Sequence, residues 1–136
     1  MYSRELLDHF QNPRNAGAVE APDASAQLEN PVCGDVLELT LKLERPKEAA
    51  QELGTTKLEN RRIAEIRFRA KGCVPAIACA SALTELIQGK TVQQARQLSR
   101  QELVQELLRK IGGLPPASTH ASHLAIDTLT ALLRGL

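Results

Sequence analysis

Three cysteines, two histidines and one aspartate are placed where they could do chemistry. Cys33-Gly34-Asp35 sets a thiol and a carboxylate two residues apart on a glycine turn, and Gly72-Cys73 sets a second thiol at the entrance of a helical pattern. His120 and His123 lie three apart at the start of the last helical pattern, and Cys79 is the remaining thiol. Thiol, imidazole and carboxylate are the donors that zinc, iron and other thiophilic metals take. No CxxC pair is present, so spacing alone does not designate a metal site. A site assembled from three distant loops would leave no spacing signature.

Each of these residues also has a plainer reading. Cys79 falls on the apolar stripe Ala76, Cys79, Ala80, Leu83 and Ile87, where a cysteine packs as a small hydrophobe. His123 reads as a surface residue, His120 as a helix-start residue, and Asp35 as a turn former. Cys33, in a Pro/Gly turn, is hard to explain as core. Cys73 follows a strand pattern and precedes a helix, and the positive end of a helix favours a thiolate. A Cys–His nucleophile, Cys73 activated by His120, is the enzymatic alternative. No oxyanion element or substrate pocket is readable to support it.

The elements that must position these groups can be read from patterning. Val36–Glu44 alternates strictly, with Leu37, Leu39, Leu41 and Leu43 against Glu38, Thr40, Lys42 and Glu44, and is the cleanest strand. Ile63–Arg69 alternates too, with Ile66 and Phe68 on one parity and Ile63, Glu65 and Arg67 on the other. These two strands should be antiparallel neighbours, joined by the charged, exposed connection Pro46–Arg62, within which Lys47–Leu53 fits a turn or two of helix. Gln27–Asn30 fits a short strand, and Asn12–Asp23 a loop. Ser3 caps a helix over Ser3–Phe10, with Leu6, Leu7 and Phe10 as its apolar face. Thr91 caps a short helix over Val92–Leu98. Ser99 with Glu102 forms a capping box for a helix carrying Leu103, Leu107 and Ile111. After the rigid step Leu114-Pro115-Pro116, a last helix runs from Thr119 or Ser122 to Arg134, burying Ala125, Ile126, Leu129, Leu132 and Leu133. The order of elements implies an α+β fold, a small antiparallel sheet with helices packed on one face.

Composition narrows the function classes. A chain of 136 residues is expected to form one domain, 1–136, with a real core. The formal net charge is +1, so no electrostatic argument points to nucleic acid or to a membrane surface. Aromatics are 2% of the chain, which leaves almost nothing to stack on bases. No apolar run approaches the ~18 residues of a membrane span. Three widely spaced cysteines make no disulfide framework, and a reducing, cytoplasmic setting is expected.

Nearly the whole chain resembles the IscU/NifU-type iron–sulfur cluster assembly scaffolds. The resemblance is carried, in the family's order, by YSRELLDHFQNPRNAG, NPVCGDVLELTLKLE, RAKGCVPAIACASALTELIQGKTVQQA and LPPASTHASHLAIDTL. It implies a scaffold or carrier, not a turnover enzyme. Such a protein assembles a [2Fe–2S] cluster from iron and from sulfur supplied by a cysteine desulfurase, and passes it to cluster-accepting apoproteins. Carried over residue by residue, the implied ligand set is Cys33, Asp35, Cys73 and His120. The family's third cysteine position is Ala121, which has no lone pair and cannot carry a persulfide. His123, one turn from His120, is the candidate substitute donor. Two thiolates, an imidazole and a carboxylate also suit Zn²⁺, and mixed Cys/His ligation of a cluster has precedent in Rieske centres. The alternative is therefore a degenerate member that holds zinc or iron and acts as an adaptor for the desulfurase. The motif that a dedicated heat-shock chaperone reads in this family continues Val-Lys after Leu-Pro-Pro. Here it continues Ala117-Ser118, which leaves the chaperone as an open partner.

Overall fold

The computed structural model describes residues 2–45 and 57–136. Its elements are α1 (Arg4–Gln11), β1 (Ala24–Glu29), β2 (Val36–Leu43), β3 (Ile63–Lys71), α2 (Val74–Ile87), α3 (Val92–Gln97), α4 (Arg100–Lys110) and α5 (Thr119–Arg134). The strands form one antiparallel sheet in the order β1-β2-β3. The α+β architecture expected from patterning is the one observed. The helix expected at Lys47–Leu53, and most of the connection around it, lie outside the described residues.

Alternation builds the sheet. Leu37, Leu39, Leu41 and Leu43 are each at most 3% exposed and face the helices. Burying such side chains stabilises a fold by roughly 1.5–3 kcal/mol each. α5 packs on β1 and β2, and α2 packs on β3.

Strand β3 departs from simple alternation. Ile63 lies on the polar parity of the sequence pattern, yet it is fully buried together with Ile66. Lys42 pairs with Glu65 while Leu43 pairs with Ile63, so one extra residue is inserted in β3 at this point. That bulge flips the parity of the strand start and turns Ile63 inward.

α2 is the hub. It touches α1, β3, α4 and α5, and ten of its residues are buried. Alanines at 76, 78, 80 and 82 let these neighbours approach closely. Its two buried hydroxyls tie down the N-terminal segment. Ser81 Oγ accepts the Arg14 backbone N–H at 2.8 Å and lies 2.9 Å from His9 Nδ1. Thr84 Oγ1 accepts from Asn15 Nδ2 at 3.2 Å. The Asn12–Asp23 segment is a loop as expected, but a pinned one. Gly17 N donates to Phe68 O and Phe68 N donates to Asn15 O, so it runs along the free edge of β3. Val19 covers the outer face, where its N–H donates to Thr40 Oγ1 at 2.9 Å.

The helix boundaries follow their caps. Ser3 accepts from Leu6 N, and both Thr91/Gln94 and Ser99/Glu102 form complete capping boxes. Such caps are typically worth about 1 kcal/mol each. On α1 the buried pair is Leu6 and His9, while Leu7 is exposed. The expected Leu6/Leu7/Phe10 face is thus rotated toward His9, because Ser81 offers the imidazole a partner inside.

Candidate metal centre

Cys33 sits on a tight turn between β1 and β2. Asn30 closes that turn through three bonds: Asn30 N–H to Asp35 O (2.8 Å), Gly34 N–H to Asn30 O (2.7 Å), and Val32 N–H to Asn30 Oδ1 (3.0 Å). Gly34 has φ +77°, a left-handed conformation that glycine adopts without cost. The turn leaves Val32 and Cys33 exposed at its tip and Asp35 only 4% exposed at its base.

The sheet register brings the second thiol to that base. Val36 pairs with Lys71, the last residues of the β2–β3 ladder on this side. Asp35, one step before β2, therefore meets Gly72 and Cys73, the steps after β3. Cys73 is the N-cap residue of α2, and its side chain makes no capping bond within the helix. It turns instead to Asp35. The thiol donates to Asp35 Oδ2 at 3.1 Å, and the Cys73 backbone N–H donates to Oδ1 at 3.2 Å.

The imidazole arrives from the far end of the chain. The Pro115-Pro116 step leads into a single 3₁₀ turn at Pro116–Ser118, which runs directly into α5. His120, on the first turn of α5, places Nε2 at 4.0 Å from Cys73 Sγ and 3.8 Å from Asp35 Oδ2. Donor atoms of Cys33, Asp35 and His120 all lie within 4.8 Å of one another. A single tetrahedral ion holds such donors roughly 3.3–3.8 Å apart. The observed separations bracket that range.

Of the residues singled out from sequence, Cys33, Asp35 and His120 form one donor group, and Cys73 adjoins it through Asp35 and His120. His123 is exposed and lines an adjoining groove with Leu28, Pro31 and Asp127. Among the described residues, no hydrogen bond or ion pair ties it to the other four. Ala121 is 1% exposed and belongs to the hydrophobic core. Cys79 is fully buried, and burial pushes its thiol up to about 12, so it packs as a protonated hydrophobe.

The electrostatics correct one expectation. A thiol at a helix entrance should lean toward thiolate, but Cys73 is shifted the other way. Burial pushes it up first, the Asp35 carboxylate accepting from it adds to this, and the opposing pull of the Ala76 backbone N–H does not win. Asp35 is the complement. Burial alone would raise its carboxyl, but hydrogen bonds from Cys73 and Cys33, the Cys73 backbone N–H and the nearby His120 together hold it below the usual carboxylate range. Without a metal, the pair is a protonated thiol clasping an ionised carboxylate.

The chain has relatives among known proteins. The sequence model of the NifU-like N-terminal domain matches residues 1–134. The chain is 38% identical over 129 residues to an iron–sulfur cluster assembly scaffold protein, IscU 1, of Archaeoglobus fulgidus, covering 95% of this chain and 72% of that protein. It is 37% identical over 133 residues to the IscU scaffold protein of Aquifex aeolicus, covering 98% of this chain and 74% of that one. Its fold matches the crystal structure of a nitrogen-fixing NifU-like protein (N-terminal) from Brucella abortus with a TM-score of 0.66 at 17% identity, over 98% of this chain and 92% of that one.

Proposed function

This chain belongs to the NifU-like N-terminal domain family, and from that membership we propose that residues 1–136 form one iron–sulfur cluster assembly scaffold. The observation that supports it most is the meeting of Cys33, Asp35, Cys73 and His120 from three separate parts of the chain. Two thiols, a carboxylate and an imidazole are a donor set that fits iron or a [2Fe–2S] cluster held as cargo.

Each donor has a role suited to transient holding. Cys33, exposed at its turn, is the first thiol an incoming metal or sulfur donor meets. Cys73 and Asp35, deeper in, form the floor of the site. Binding at Cys73 releases its proton, and the carboxylate that held it becomes free to act as a hard, weaker ligand. A carboxylate among thiolates is the contact that yields first when the cluster is handed on. The partners this reading requires are a cysteine desulfurase and cluster-accepting apoproteins. A scaffold of this kind turns over no substrate of its own.

A second reading rests on Ala121. A buried alanine offers no third thiol and no place for a persulfide, so the site is a candidate to hold zinc or iron as an adaptor for the desulfurase.

Anaerobic reconstitution with ferrous iron and sulfide separates the two. The scaffold reading expects iron and acid-labile sulfide in equal amounts, with visible sulfur-to-iron absorption. Zinc or iron retained without sulfide would favour the adaptor. Retention of neither would overturn both.

A further inference from the structure

Asp35 reaches Cys73 only because nothing occupies the space over residue 72. A Cβ built on Gly72 would stand 2.6 Å from Asp35 Cγ and 3.0 Å from Asp35 Cβ, well inside contact distance. The other glycine of the site behaves differently. A Cβ on Gly34 meets nothing within 4 Å, and that residue is glycine for its backbone angle. Gly72 has φ +159°, itself unfavourable to a side chain, and there the carboxylate is a further obstacle. Asp35 is 4% exposed and is held from both sides by the Cys73 N–H and thiol, so it has no free room in which to retreat within a packed interior.

We infer that Gly72 is a positioning residue for the metal donor set: its missing side chain is the cradle that keeps the Asp35 carboxylate beside Cys73 and His120. The inference rests on the metal-site reading proposed above. A methyl group at position 72 removes no donor atom. It expels the carboxylate toward solvent, leaving two thiols and an imidazole without their fourth member.

The test is a thermodynamic cycle with the full chain. Wild type, Gly72→Ala, Asp35→Ala and the double variant are compared for Zn²⁺ retention against a chelator and for the visible spectrum of bound Co²⁺. Gly72→Ala should lose about 10–100-fold in Zn²⁺ affinity, the range seen when a supporting partner of a ligand is lost. Asp35→Ala should lose as much, and the two Co²⁺ spectra should coincide with their thiolate charge-transfer band intact. The double variant should bind no worse than Asp35→Ala, because without the carboxylate the added methyl has room. Equal binding by Gly72→Ala and wild type overturns the inference, and so does a Gly72→Ala loss that adds in full to that of Asp35→Ala. Because the backbone cost at position 72 is common to both variants that carry the methyl, a smaller loss of folding stability from Gly72→Ala in the Asp35→Ala background than in wild type supports the contact, and an equal loss overturns it. A wild type that retains neither ion overturns the metal-site reading itself and the inference with it.

Discussion

Cys73 and Asp35, 38 residues apart, are joined twice: thiol to Oδ2 at 3.1 Å and backbone N–H to Oδ1 at 3.2 Å. The same carboxylate is kept ionised by the thiol that it keeps protonated. The metal-free site is thus poised with its charge on oxygen rather than on sulfur.

That relationship sets the reactivity of Cys73. Burial is the largest cause that raises the thiol, and Asp35→Asn takes away the carboxylate's hydrogen bond and charge that add to it, so the thiolate fraction at neutral pH should grow. Alkylation of Cys73 by iodoacetamide, followed by peptide mass mapping, should be faster in the variant than in wild type. A rate that stays the same or falls would show that the carboxylate does not govern this thiol.

Cys79 should be dispensable for metal and modestly useful for stability. It is fully buried beside Ala78 and Ala80 on α2. Cys79→Ser should lower unfolding free energy by roughly 1 kcal/mol, from a poorly satisfied hydroxyl, and leave Zn²⁺ retention unchanged. Urea unfolding and metal analysis measure the two quantities separately. A folded variant without metal would bring Cys79 into the site.

Ala121→Cys offers the thiol that the family pattern carries there. Chelator competition should show tighter Zn²⁺ or cluster retention than wild type, and Cys33→Ala weaker retention. Because Ala121 is 1% exposed, the added sulfur should also cost about 1–3 kcal/mol of metal-free stability. Opposite movements of melting temperature and metal retention would identify a ligand effect. Equal retention by all three proteins would mean that these positions do not hold the metal.

His9 gives the fold a dependence on pH. It is 5% exposed, and burial first, then the Arg14 charge, hold it below its ordinary 6.5. Between the lowered folded value and 6.5 the unfolded chain takes a proton that the native state refuses, so stability falls as pH drops through this window. Above 6.5 both states are neutral and the group contributes nothing. His9→Asn keeps a polar atom near Ser81 Oγ and cannot titrate. Its urea midpoint should decline less than that of wild type between pH 7.5 and 5.5. Parallel declines would place the dependence elsewhere.

Much of the fold was legible because alternation in Val36–Glu44 and capping at Ser3, Thr91 and Ser99 are local signals. Ile63 was not, since a bulge is a property of two strands and the pattern of one does not show it. The donors could be singled out by type, and the family resemblance grouped four of them. Spacing could not show their meeting, because it depends on strand register at Val36/Lys71 and on the docking of α5 against the sheet. The state of Cys73 was misjudged for a related reason. Helix position is visible in sequence, whereas burial and the Asp35 carboxylate belong to the tertiary structure. The burial of His9 left no local signal, because its partner, Ser81, lies 72 residues away.

The ladder register has a consequence for the order in which the molecule comes together during folding. Asp35 and Cys73 flank the two strands that pair, so they meet when β2 and β3 zip. His120 lies 47 residues beyond Cys73 and arrives only when the last helix settles on the sheet. The two strands can pair without the last helix, so the half-site does not depend on the docking that completes the whole one. A nascent chain that has paired its hairpin but not yet docked its C-terminal helix would already present both thiols and the carboxylate. A slip of one residue in that pairing would displace Asp35 along the strand by about 3.3 Å. Correct strand pairing is then a precondition of the site, which the last helix completes with His120.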